Sequence, residues 1–129
     1  MQRLHELYQK PIVFTEVGNP SYDGATAYGQ ADPSYGNVTS DLQEHADFYE
    51  TFFRAYYRLP WVVGAYMGDW MVGDEDPSRH LDEWPTSIGF ADKPAVIVMR
   101  HWFGQPSHLT AEPMPLKSDG HVDVGETDA

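Results

Sequence analysis

With 129 residues, 41% of them hydrophobic and 14% aromatic, the chain has the size and composition of one ordinary domain with a core, which excludes disorder of the whole. Asp and Glu number 20 against 8 Lys and Arg, and the formal net charge of −12 argues against nucleic acid and anionic membranes as partners, because their phosphates would repel it. Cysteine is absent, which removes disulfides, thiolate metal sites and a cysteine nucleophile. An acidic surface with few lysines (Lys10, Lys93, Lys117) suits concentrated salt and an ordinary acidic protein alike. No run approaches the ~18 apolar residues of a membrane span, and the first residues lack the apolar stretch of a secretory leader.

Leu4, Leu7 and Tyr8 recur at helical spacing and stop before Pro11, which predicts the end of a helix feeding a strand. The strand itself is Ile12 to Val17, an apolar run launched by Pro11 and broken at Gly18. Gly18 to Thr39 is rich in Gly, Pro, Asn, Asp, Ser and Tyr and too long for a simple connector, so it reads as a functional surface loop. Ser40 and Gln43 form a capping-box pattern, followed by Leu42, Ala46, Tyr49, Phe52, Phe53 and Tyr56 at three- and four-residue steps, an amphipathic helix ending near Pro60. Glu44 and Glu50 fall on the expected solvent side of that helix. Trp61 to Met67 is a second apolar strand, Gly68 to Phe90 a second long loop, and Lys93-Pro94 opens a last helix closed by Gly104. Beyond Gln105 the chain is polar, acidic and proline-containing, which divides it into residues 1–104 and an expected disordered acidic tail, 105–129.

This alternation is that of an α/β fold with parallel strands. Two parallel strands cannot cover each other's apolar faces, so most of a sheet is expected outside this sequence, and the chain on its own is expected to self-associate or lack fixed packing.

The ordered set Lys10 to Gly18, Phe48 to Ala55, Pro60 to Tyr66 and Lys93-Pro94-Ala95 resembles the last quarter of the (β/α)8 glycoside hydrolases, and within them the mannanase-type family 113. The resemblance covers Lys10 to Phe103. It implies the C-terminal part of a (β/α)8 TIM barrel, strands seven and eight with their helices, from a retaining hydrolase of β-linked mannan- or glucan-type glycans that needs no cofactor. Such enzymes use two carboxylic acids roughly 5 Å apart. Glu16 matches the nucleophile, and the acid/base belongs on strand four, outside this sequence.

In such barrels the carboxyl ends of the strands carry the chemistry, which is the place Glu16 occupies. On its residues alone, a strand-end Glu more often caps a helix or pairs with an arginine such as Arg54 or Arg100. By resemblance Tyr66, Asn19, Asp69, Trp70 and Tyr22 line the mouth and contact an oligo- or polysaccharide, although Trp70 serves equally as a loop anchor and the loop tyrosines Tyr22, Tyr28 and Tyr35 equally as pins. Family members often carry tryptophan near the end of strand eight, where this chain has Met67 and Gly68 before Asp69 and Trp70. Asp74-Glu75-Asp76 lacks the glycine and distal glutamate of a calcium loop, and the histidines show no paired metal spacing, so no metal site is expected. The competing reading is a catalytically silent carbohydrate-binding or barrel-completing module.

Overall fold

The computed structural model describes residues 1–28, 38–68 and 86–125. In chain order these form helix α1 (Gln2–Tyr8), strand β1 (Ile12–Val17), the short helix α2 (Ala25–Tyr28), helix α3 (Leu42–Tyr56), strand β2 (Val62–Met67), helix α4 (Ala95–Phe103) and a 3-10 turn, His108–Thr110. β1 and β2 pair in parallel with α3 between them in sequence, the expected β–α–β unit. α2 is an addition, one turn within the long loop after β1.

The pairing is irregular where it matters. Phe14 pairs with Ala65 and Val17 with Met67, three steps along β1 against two along β2, so β1 carries a bulge at Thr15 and Glu16. Simple alternation would turn Phe14 and Val17 to opposite faces. The extra residue instead lets both pack toward the helices, leaving Thr15 and Glu16 exposed on the other side. Phe14 meets Phe52 and Tyr56 of α3 with ring centroids 5.1 and 4.9 Å apart. Behind them Tyr49, Phe53, Val98 and Trp102 build the core between α3 and α4, Phe53 stacking on Trp102 at 5.4 Å.

α3 starts one residue later than the expected capping box. Its cap is Asp41, which accepts from the Glu44 amide at 2.8 Å, while Gln43 donates to Asp47 and to the Val122 carbonyl. Both Ser40 and Asp41 are good cap residues, and only the point at which the backbone turns helical separates them. α4 follows Pro94 as expected and ends at Gly104, where a side chain would meet the Arg100 carbonyl oxygen at 2.7 Å.

Glu50 overturns the expectation of a solvent position, being only 2% exposed. Its Oε2 accepts from Trp102 Nε1 at 2.6 Å, and Oε1 accepts from Arg54 Nε at 2.7 Å and the Met114 amide at 3.0 Å. Arg54 also donates to the Met114 carbonyl. Both carboxylate oxygens are thereby satisfied, as burial of an ionised group requires. Glu44 is engaged as well, accepting from the Gly24 and Thr26 amides at 2.7 and 2.8 Å, which holds its carboxyl below the usual carboxylate range although partial burial opposes this.

The segment after Gln105, polar enough in composition to predict disorder, runs instead as a strap across α3 and α4 as far as residue 125, burying Ala111, Met114 and Val122. Its polar backbone is met by side chains of α3: Val122 donates to Asp47 at 2.7 Å and His121 shares a 2.5 Å contact with the same carboxylate. A turn at Lys117–Gly120 joins the Leu116–Val122 bridge, with Gly120 at φ +91°. A few apolar anchors spaced far apart escape a reading by mean composition. Residues 126–129 lie outside the described residues.

Among the described residues the sheet is clothed on one side only. Val13 and Tyr66 stand exposed on the face opposite the helices, and the apolar residues Leu4 and Leu7 of α1 are likewise uncovered. A groove of about 420 Å³ opens beside β2, lined by Phe52, Tyr56, Pro60, Val62, Val63 and Phe103. Among the described residues no helix is long and apolar enough to cross a membrane.

Removal of the Glu50 carboxylate strands two buried donors, the Trp102 indole and the Met114 amide, and takes the ion-pair partner from the half-exposed Arg54. Glu50→Ala is expected to lower stability by about 3 kcal/mol, measured by urea unfolding at fixed protein concentration; a loss below about 0.5 kcal/mol, as for an ordinary surface substitution, would contradict the assignment.

Candidate active site

The carboxyl ends of parallel strands are where side chains leave the packed layer, so the residues following Phe14 and Ala65 are the ones free to meet a ligand. The bulge turns Glu16 onto the helix-free face, and Tyr66, which lies between the core-facing Ala65 and Met67, shares that face at 68% exposure. Nothing among the described residues hydrogen-bonds or ion-pairs with Glu16, and Arg54, one of its expected alternative partners, is taken by Glu50. Asp69, Trp70, Tyr35 and the Asp74-Glu75-Asp76 cluster lie outside the described residues.

Immediately beyond Glu16 the backbone is tightly fixed. The Gly68 amide donates to the Val17 carbonyl at 2.9 Å, and the Gly68 carbonyl accepts from the Tyr49 hydroxyl at 3.0 Å. A side chain at Gly18 would lie 2.6 Å from Ile88 Cδ1 and 2.9 Å from the Gly68 oxygen, so close approach of the chain after β2 demands glycine here. Asn19 and Tyr22 are 5% and 3% exposed. Asn19 spends its amide on the Pro20 carbonyl at 3.1 Å and Thr26 Oγ1 at 3.3 Å, while Tyr22 bridges to Ser40. These two residues therefore frame the loop from inside, while Tyr66 presents its ring outward.

Two buried bases underlie the same region, and sequence reasoning passed over both. Lys93 is 3% exposed, and burial pushes its ammonium down to about 8. His45, on the inner stripe of α3, is sealed from solvent; burial pushes it down to about 4, the Lys93 charge adds to this, and the backbone of Ile88 and Asn19 opposes it. Among the described residues neither ring nitrogen completes a hydrogen bond. The signal available in the sequence was position: His45 precedes Ala46 and stands four residues before Tyr49, within the apolar stripe. His101 instead meets the Glu112 carbonyl at 2.7 Å, a structural contact to the strap.

Asp23, Asp41 and Glu44 bring carboxylate oxygens within 4.8 Å of one another. Asp41 already caps α3 and Glu44 already clamps two amides, so the cluster is accounted for by the fold.

Parallel strands joined through a helix, with an exposed carboxylate and an aromatic ring near their carboxyl ends, define the fold class as α/β. The chain belongs to Glycoside Hydrolase Family 113, whose family model matches residues 1–84. Among solved structures it is similar to a β-1,4-mannanase of this family, with 27% identity and a TM-score of 0.67 over 81% of this chain and 32% of that one. A complex structure of a β-1,4-mannanase matches with 26% identity and a TM-score of 0.66 over the same shares. The β-mannanase AaManA from Alicyclobacillus acidocaldarius, in complex with ManMIm, matches with 29% identity and a TM-score of 0.60 over 73% of this chain and 29% of that one. The chain thus spans about a third of the length of these enzymes. No curated protein matches it significantly.

The depressed His45 gives a signed pH dependence. Between pH 6.5 and 4 the unfolded chain binds a proton that the folded chain refuses, so this group's contribution is intact above 6.5 and lost as pH falls toward 4. The loss amounts to roughly 3 kcal/mol. His45→Gln should flatten the fall in urea stability across that window by a large part of this amount; equal slopes for the two proteins would show that His45 titrates normally.

Proposed function

We propose that this chain is the C-terminal part, strands seven and eight with their helices, of a (β/α)8-barrel retaining β-glycosidase acting on a mannan- or glucan-type glycan, with Glu16 as nucleophile. The observation that carries the reading is the bulge that aims Glu16, at the carboxyl end of β1, onto the face left bare by the helices. Membership of Glycoside Hydrolase Family 113 and likeness to β-mannanases support it, as does the exposed Val13, which in a closed barrel would face its packed interior.

The chemistry assigned to Glu16 is attack of the ionised carboxylate on the anomeric carbon, forming a glycosyl ester as the glycosidic C–O bond breaks and the leaving oxygen takes a proton from a second carboxylic acid. That acid, then ionised, removes a proton from water, which adds to the anomeric carbon and releases Glu16. One carboxylate cannot serve both roles, so the acid/base is supplied by strands outside this sequence. Tyr66, with Asp69 and Trp70 from the segment that follows it, is assigned to the sugar; Asn19 and Tyr22 are assigned to the loop that frames it. No metal or cofactor enters the scheme.

The test is a chimera joining this chain to the N-terminal strands of one of the solved mannanases. Glu16→Gly should lose hydrolysis of β-mannan by several orders of magnitude, yet regain turnover of an activated aryl β-mannoside when azide fills the vacated space, giving a product of inverted anomeric configuration. Parent-like hydrolysis by Glu16→Gly would remove the assignment. A folded but inactive chimera would favour the second reading, a carbohydrate-binding or barrel-completing module.

A further inference from the structure

A lysine taken out of water stays charged only where oxygens replace its hydration shell. The three hydrogens of the Lys93 ammonium go to neutral oxygens drawn from two separate loops: Ser21 Oγ at 2.9 Å, Ser87 O at 2.8 Å and Ser87 Oγ at 3.0 Å. Ser21 lies four residues beyond the end of β1, and Ser87 lies in the stretch between β2 and α4. The same two loops are tied again by the Ser21 amide, which donates to the Thr86 and Ser87 carbonyls at 3.3 and 3.2 Å, and by the Ser21 hydroxyl, which donates to the Ser87 carbonyl at 2.9 Å. Gly18 packs on Ile88 between them.

This seam begins two residues beyond Glu16, where Gly18 meets Ile88. From the bulge the chain passes through Val17 and Gly18 into the loop that Lys93 grips, and the backbone direction over these residues decides where the carboxylate points. A surface ion pair would hold such loops weakly, because water competes for both partners. A sealed ammonium with three short acceptors holds them in a single arrangement, because each lost contact leaves a buried donor unsatisfied. Lys93 itself sits two residues before α4, whose Val98 and Trp102 are locked in the core.

We propose that Lys93 is a positioning residue for Glu16, its buried ammonium stapling the loop after β1 to the loop after β2 so that the carboxylate meets the anomeric carbon in line. The proposal rests on the assignment of Glu16 as nucleophile. It sets Lys93 apart from residues that merely stabilise the fold. Methionine at this position would fill the same space without a buried charge, and the two loops would lose their shared anchor while the core stayed packed.

The experiment uses the chimera described above, with Glu16→Gly as the reference for a failed nucleophile. Lys93→Met should lower kcat by about tenfold to a hundredfold, as expected for a misplaced reacting group, with KM within about twofold of the parent. Amide hydrogen exchange should rise at residues 18–21 and 86–88 and stay unchanged in α3 and α4. Ser87→Ala, which keeps the ammonium but removes one acceptor, should shift kcat and exchange in the same direction by less, and serves if Lys93→Met does not fold. Parent-like kcat in both variants would overturn the proposal, and so would a kcat loss accompanied by exchange rising throughout the core, which would mark Lys93 as structural. If Glu16→Gly itself hydrolyses like the parent, the nucleophile assignment has failed instead.

Discussion

A parallel strand pair has two apolar faces and two open edges, and the described residues of this chain supply cover for one face. α3 and α4 close the side on which Phe14 and Val17 point, with Tyr49, Phe53 and Trp102 filling the gap. The opposite side keeps Val13 and Tyr66 in solvent. That asymmetry makes sense of the bulge, which directs two β1 side chains into the covered layer and leaves the intervening pair, Thr15 and Glu16, on the open one. The proposed catalytic assignment and the exposed apolar face both depend on this single division of surfaces.

The covered side is held by more than apolar contact. Glu50 draws Arg54, Trp102 and the Met114 backbone onto one carboxylate, so it joins α3, α4 and the C-terminal strap. Lys93 does the corresponding work at the strand-end side, with serines in place of charged partners. The two groups lie on different seams: one fastens the outer helices and strap, the other the loops from which a substrate would be approached. Such hydrogen-bonded polar groups fix one arrangement where apolar packing alone tolerates several.

The strands, the α3 periodicity and the strand-end position of Glu16 were legible in the sequence because each follows from the order of apolar and breaking residues. The bulge was not, since an alternating pattern puts Thr15 and Glu16 on opposite faces and only pairing with β2 reveals the extra residue. Glu50, His45 and Lys93 were missed for a shared reason: a polar residue reads as a surface residue unless its surroundings are known, and Trp102 and Met114 beside Glu50 and Ser21 beside Lys93 are far off in sequence. Arg54, one turn after Glu50, was the available clue. The strap escaped because Ala111, Met114 and Val122 are too widely spaced for a composition window, and the cap of α3 fell to Asp41 because two adjacent residues offered equivalent chemistry.

Covalent trapping bears most directly on the central claim. In the barrel-completed chimera, a 2-deoxy-2-fluoro-β-mannosyl fluoride should leave one fluorosugar on the protein, because the fluorine at C2 slows both formation and release of the ester while the fluoride leaving group at C1 speeds formation alone, and peptide mass spectrometry should locate it on Glu16. A label on any other carboxylate, or steady turnover with no label on Glu16, would contradict the account.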